Sequence, residues 1–528
     1  MRSPYLLVFL LLLANYTYAQ DSDTSAFIQQ TERIELEVLN DEHNFTIIPG
    51  DRNGLMVIEE PNDFRTIGEL WRLTTIDTAL NVQWGQTIFA NSGTYLKGYE
   101  YNRENYYLLF GKQQYKREEL TVFRINAVSH DTTTFLINTV FPIDLEYFEI
   151  MGNTIIFGGY AYYKPVIMLF NMNDRLPKVL SGVYDNFSTI LDVVPNDRLN
   201  IFSVIMSERL PNKHSTVAIK SFTSDGTPIQ DRSLNPGEEK SLLDAASTSF
   251  LSGYQYVAGT YSQKKNDYSR GLYLARLKNG IQESILFHNY GDLENFFGHM
   301  SDRREKRVKE RIKRRKNNGK RIRFNYRLAI HDIVEQENQY LMIGEAYYPR
   351  YRSSSGGFAN PGYGNNFGGA FGSALPNSYN PLFLGYKYTH AVVVAFDKLG
   401  NILWDNSFEI NDVMTPTLKK YVQVKVDPVS NKTILIYLWN NRIKTKIIDE
   451  NDIVEGKTIN PVKLTYEADK AKSADKQMEG LKDWYGNTLF AYGKQRIKNQ
   501  ENESVKGSRK IFYINKIQYE KNPALDYN

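Results

Sequence analysis

The 528-residue sequence predicts an all-β chain folded as a single β-propeller of eight four-stranded blades, or seven if the weak first copy is not a blade. Three observations predict it. One short apolar strand recurs along the whole chain, a polar turn punctuates each copy, and the strand missing from the last copy is present near the start. With 37 Tyr and 28 Phe, the composition suits strands better than helices.

The recurring strand reads GLMVIEE from Gly54, YYLLFG from Tyr106, TIIFGG from Thr154 and NIFSVIM from Asn200. It continues as YQYVAGTY from Tyr254, QYLMIGEA from Gln339, KTILIYLW from Lys432 and NTLFAYG from Asn487. Gly111, Gly158, Gly259, Gly344 and Gly493 close several copies. Each copy leads into another strand and a turn rich in Asp, Asn or Gly, the grammar of a strand meander. The undisturbed spacing is about that of a propeller blade, and the turns that punctuate every copy favour one propeller over the alternatives, two stacked sandwiches or a propeller with a separate domain. The last copy has a further strand, Lys510 to Tyr519, and the chain then ends. Glu32 to Asn40, with period-2 alternation, is the expected closing strand, which would remove an open sheet edge.

Residues 1–19 have the layout of a signal peptide: an apolar run from Leu6 to Leu13, then Thr17-Tyr18-Ala19 before Gln20. The expected domains are therefore 1–19 as leader and 20–528 as propeller. No later segment is apolar for long enough to span a bilayer. The chain has no cysteine, so an exported product would be stabilised by its core rather than by disulfides. The expected location is periplasmic, in association with the outer membrane.

Two intervals between copies are long. Residues 295–323 fall between the fourth strand of one blade and the first of the next, and 349–388 fall between the second and third strands of that next blade. In a meander both connections emerge on one face, where loops on a rigid scaffold do the binding. The first interval predicts a helix after Ser301 or Asp302 that stops at Asn317-Asn318-Gly319. From Arg303 to Arg323 thirteen basic residues oppose Glu305 and Glu310, a local charge of +11. The whole chain is +4, leaving −7 elsewhere. Val308 and Ile312 are its whole apolar stripe, so the helix is expected to be lightly docked and mostly solvated. Arg304, Arg307, Arg311, Lys313, Arg314 and Arg315 are the candidate contacts for an acidic partner. The second interval is rich in Gly, Asn and Ser, with Phe358, Tyr363, Phe367 and Phe371 as candidate anchors. The turns on the opposite face lean acidic, at Asp131, Asp174, Asp225, Asp397 and Asp449.

Catalytic motifs are not evident. The seven His residues are scattered singly, and there is no nucleophile elbow, phosphate loop or metal-ligand spacing. No cofactor is expected. Nucleic acid is the least suitable partner, because no aromatic residue interleaves the basic helix for stacking. Asp192, Asp244 and the His331-Asp332 pair lie on predicted inner strands and would matter if the channel held a site.

The blade grammar, with turns such as Asp397-Lys398-Leu399-Gly400-Asn401, resembles generic exported bacterial β-propellers of the kind common in Bacteroidota. That resemblance spans nearly the whole mature chain and implies no catalytic residue. The expected function is a non-enzymatic interaction or scaffold subunit of the cell envelope, in an outer-membrane complex of the secretion or gliding type. The alternatives are a carbohydrate-binding or hydrolytic propeller with a channel site, and a binder of anionic lipid or lipopolysaccharide.

Overall fold

The computed structural model describes residues 25, 27–38, 44–60, 69–91, 93–112, 119–210, 214–250, 253–263, 268–352, 382–475, 478–499 and 506–519. Eight antiparallel sheets follow one another, each a meander from an inner A strand to an outer D strand. Blades 1 to 4 run from Phe45–Pro49 to Val82–Ala90, Thr94–Asn102 to Thr132–Asn138, Asp144–Met151 to Leu176–Val179, and Thr189–Asn196 to Pro228–Ser233. Blades 5 to 7 run from Lys240–Ser247 to Ile281–Asn289, Arg327–Ile330 to Ile402–Glu409, and Gln423–Val426 to Asp452–Pro461. Blade 8 joins a split inner strand, Lys470–Ala474 and Gly480–Tyr485, to Thr488–Lys498, Ser508–Tyr519 and finally Ile28–Glu37. The chain is an eight-bladed β-propeller.

All eight predicted repeat strands are B strands. A B strand is covered by the neighbouring blade on both faces, so its residues are apolar without alternation: every residue of Thr433–Trp439 is buried. Outer D strands are more open to solvent, as in Pro228–Ser233, which has no buried residue; Ile402–Glu409 of blade 6, with a run of buried residues, departs from this.

The first strand closes the ring, pairing Ile28 with Tyr519 and Glu37 with Ile511 across the outer edge of blade 8. It begins four residues before the predicted Glu32 and ends at Glu37 rather than Asn40, because Phe27 and Ile28 pack into the core between blades 7 and 8. Arg33 fixes the register, donating to Asn515 Oδ1 at 2.8 Å and Gln495 Oε1 at 2.9 Å.

Inner strands bend at one shared place. In blades 2 to 5 one residue is skipped against the B strand, between Leu96 and Gly98, Leu145 and Tyr147, Ile190 and Asp192, and Leu242 and Asp244. Bending brings the A backbone onto the B strand, which explains the closing glycine: a Cβ on Gly259 would sit 1.8 Å from the Asp244 carbonyl oxygen.

Strand alternation sorts the connections. The A–B and C–D turns form one face, the turn face; the B–C and D–A connections form the other, the insertion face. C–D turns are closed by acidic side chains. In blade 6, Asp397 Oδ1 accepts from the amides of Leu399 and Asn401, both at 2.8 Å. No helix among the described residues is long and apolar enough to cross a membrane.

Candidate functional site

The D–A connection from blade 5 to blade 6 carries helix α1, Asp302–Asn317, with Ser301 as its N-cap residue and Gly319 at φ 61° just past its end. It stands where the charge pattern predicted, but it is more firmly seated than expected. Tyr290, Leu293, Phe296 and Phe297 fold under it and join Ile312 in the core shared by blades 5 and 6, with Val308, Ile322, Phe324 and Tyr326 at the margin. Asp405 on the D strand of blade 6 accepts from the Glu294 and Asn295 amides at 2.7 and 2.8 Å. The excursion is thus stapled to an outer strand it also covers. His299 of the excursion stacks on His390 of the blade 6 strand Phe383–Phe396, with centroids 3.6 Å apart and planes 4° apart.

Docking one side of α1 leaves the rest to solvent. Glu305, Val308, Ile312 and Arg315 make up the half-buried or buried side. Arg315 turns back to donate to the Arg321 carbonyl at 2.8 Å, and Lys316 pairs with Asp292 at 2.8 Å. Lys309 pairs with Glu305 at 2.7 Å. Arg304, Arg307, Arg311, Lys313 and Arg314, and also Arg303, are exposed and make no ion pair among the described residues. At 100° per residue Arg303, Arg307, Arg311 and Arg314 fall within roughly 80° of arc, an all-arginine stripe facing away from the core. Guanidinium groups suit such a stripe to planar oxyanions, which they bind through two parallel N–H groups.

The B–C connection of blade 6 shares that face. Its strands, Tyr340–Tyr351 and Phe383–Phe396, extend into the interval read as loop, taking both of its ends. Phe358, Tyr363, Phe367 and Phe371 lie outside the described residues. The same face holds exposed Phe89, Tyr95, Tyr268, Tyr348, Tyr351 and Tyr466, at the matching ends of their strands or in its loops.

The inner strands bring carboxylates together from separate blades. Asp192 and Asp244 come directly after the bend in blades 4 and 5, and Asp332 lies between the two inner-strand segments of blade 6, Arg327–Ile330 and Val334–Glu335. Burial raises Asp192 to about 6, helped by the charge of Asp332, and raises Asp244 to about 7. Sequence reasoning missed Glu100, raised by burial to about 7, and Glu146 and Glu149, each raised by burial to about 8. Asp244 and Asp332 also have structural work. Asp244 accepts from its neighbour Ala245 at 2.9 Å and, across the blade boundary, from Ile330 at 3.4 Å. Asp332 pairs with Lys420 of blade 7 at 2.7 Å. His331, its neighbour, bonds instead to Glu345 at 2.8 Å, and Glu345 accepts from the Tyr421 and Val422 amides at 2.7 Å each, tying blade 6 to blade 7. Among the described residues no three His, Asp or Glu side chains are grouped to hold a metal ion.

No family model matches the chain, and no curated protein does. Among solved structures it resembles the polysaccharide lyase Uly1, at 10% identity over 93% of this chain and 100% of that one, with a TM-score of 0.39. It also resembles the Nup133 β-propeller domain of Vanderwaltozyma polyspora, at 11% identity over 92% and 100% of the two chains and a TM-score of 0.36. The β-propeller domain of the Trilobed protease from Pyrococcus furiosus matches at 9% identity over 79% and 98%, with a TM-score of 0.36. At these identities the likeness is one of fold alone.

Proposed function

We propose that the protein is a non-enzymatic docking subunit of the bacterial cell envelope, exported to the periplasm and held in an outer-membrane-associated assembly. Its insertion face binds an anionic partner surface, with the arginine stripe of α1 as the electrostatic contact. The observation that carries this reading is that the stripe is unpaired while its helix is pinned. Four guanidinium groups are held out at fixed spacing on a helix that Ile312 anchors to the ring. With +11 in 303–323 and +4 overall, the rest of the chain is acidic, so an anionic surface would repel the body and attract this face.

The test is retention on isolated envelope fractions. Purified protein is retained at low salt and released at about 1 M salt, where the screening length falls to roughly 3 Å. The variant with Arg303, Arg307, Arg311 and Arg314 all changed to Glu is not retained at either salt. Equal retention of this variant and the parent at low salt would remove the proposal.

A further inference from the structure

We infer that the anionic surface is a phospholipid bilayer, and that aromatic loop tips on the insertion face enter its interface beside the arginine stripe. This rests on the docking reading above and names its partner.

Ten aromatic side chains are exposed among the described residues, and all ten stand at the insertion-face end of their strands or in that face's loops. The turn face also exposes apolar residues, but they are aliphatic: Val128, Leu199, Leu399 and Val429. Since both faces are made by the same meander, nothing in the fold itself requires this segregation. The aromatics are spread round the ring, from Phe89 in blade 1 to Tyr466 between blades 7 and 8, instead of gathering into one patch. A protein partner is met by a contiguous desolvated centre. Contacts spaced around a ring fit a plane.

The sharpest case is the B–C turn of blade 3. Ala161 pairs with Lys164, so Tyr162 and Tyr163 are a two-residue hairpin loop, with φ of 51° and 65°. Such turns favour Asn and Gly, because other side chains crowd the backbone at positive φ. The corresponding turn of blade 7 obeys that rule with Asn440 and Asn441, at 53° and 59°. Blade 3 instead places two tyrosines there, 72% and 93% exposed, and neither ring makes a hydrogen bond, ion pair or ring contact among the described residues. Local strain without an internal use points to an external one. The next loop adds Tyr184 and Phe187, 51% and 67% exposed, and Lys164 Nζ lies 4.5 Å from the Tyr184 ring centre. Tyrosine rings with one apolar and one polar end, flanked by cations, match the headgroup zone of an anionic bilayer.

The experiment is flotation with protein-free vesicles, either phosphatidylcholine alone or phosphatidylcholine with phosphatidylglycerol. The parent protein floats with the phosphatidylglycerol vesicles only. Tyr162→Asn with Tyr163→Gly installs the favoured turn, so folding is safe and the unfolding midpoint is equal or higher. Burying part of two rings is worth at least roughly tenfold, so this variant partitions at least that much more weakly. The four-Arg-to-Glu variant loses at least roughly a thousandfold, at about fivefold for each of four arginines removed near an anionic surface, with the reversed charges adding to the loss. If the parent fails to float, or the turn variant floats like the parent, the bilayer inference is overturned. Salt-sensitive retention on envelope fractions would then leave the docking reading standing with a protein partner; loss of both would end both.

Discussion

Changing Ile312 to Ala tests whether the arginine stripe is held in place or merely tethered. Ile312 is the one buried residue of α1, with Val308 half-buried beside it. Truncating a buried Ile to Ala costs 2–5 kcal/mol in a closed core, and a position at the core's margin belongs at the lower end, about 3 kcal/mol. Little else holds the helix. A 16-residue helix is marginal alone, and the like-charged pairs Arg303/Arg307 and Arg307/Arg311 weaken it further. A loss of about 3 kcal/mol should raise the population of the undocked helix by roughly a hundredfold. Limited trypsin digestion reads this directly, because the helix is dense in cleavage sites that are protected only while it is helical and seated. Ile312→Ala should be cut within 302–317 far faster than the parent, with the rest of the ring intact. Arg311→Ala, on the solvent side, should not accelerate cutting at the remaining sites. An unchanged cleavage rate in Ile312→Ala would mean that the helix is not anchored as described, and the fixed spacing of the stripe would go with it.

Three other predictions follow from the same structure. His390 is fully buried and burial holds its pKa well below the usual histidine value, with His299 stacked on it and also lowered by burial. The groups acting on His299 are Glu409 and Glu305, which favour its charged form, and Arg304, which opposes it. Below about pH 6.5 the unfolded chain binds protons that these folded rings refuse, so stability falls as pH drops; His390→Phe should flatten that fall in a thermal melt series. Glu149 has the opposite sign: its folded pKa, raised to about 8 by burial, means stability is full below about pH 4 and is lost as pH rises through 8. Glu149→Gln should therefore raise the melting temperature at pH 9 and leave it nearly unchanged at pH 4. Removing the closing strand by deleting residues 25–37 exposes the Ser508–Tyr519 edge and strips Phe27 and Ile28 from the blade 7–8 core; aggregation during refolding should rise sharply, measured by light scattering.

Most of the fold was legible because its signals are local. A B strand such as Thr433–Trp439 is an unbroken apolar run wherever it sits, and the C–D turns announce themselves with Asp, Asn and Gly. The helix limits followed from Ser301 and Gly319, and the closing strand from a copy left incomplete. What escaped depends on residues far apart in sequence. Tyr290 reads as the end of a strand and Phe296 and Phe297 as part of an inserted interval, yet together they form the seat of α1 with Ile330, Val392 and Phe396 of another blade. The aspartates past the bend could be read from strand position, but Glu100 and Glu149 could not, because a skipped residue shifts which side chains share a face. Tyr162 and Tyr163 were hidden for a different reason. Their turn lacks Gly, Asn and Asp, so nothing in the sequence marks it as a two-residue loop.

The chain has no cysteine, so a single nitroxide can be placed at will. Labels at Tyr163→Cys on the insertion face and Val429→Cys on the turn face would be 93% and 84% exposed at the parent positions, and so equally accessible in the free protein. On adding phosphatidylglycerol vesicles, the account predicts that the label at 163 becomes shielded from aqueous relaxation agents while that at 429 stays open to them. Shielding at 429 instead, or at neither position while the protein is vesicle-bound, would contradict it.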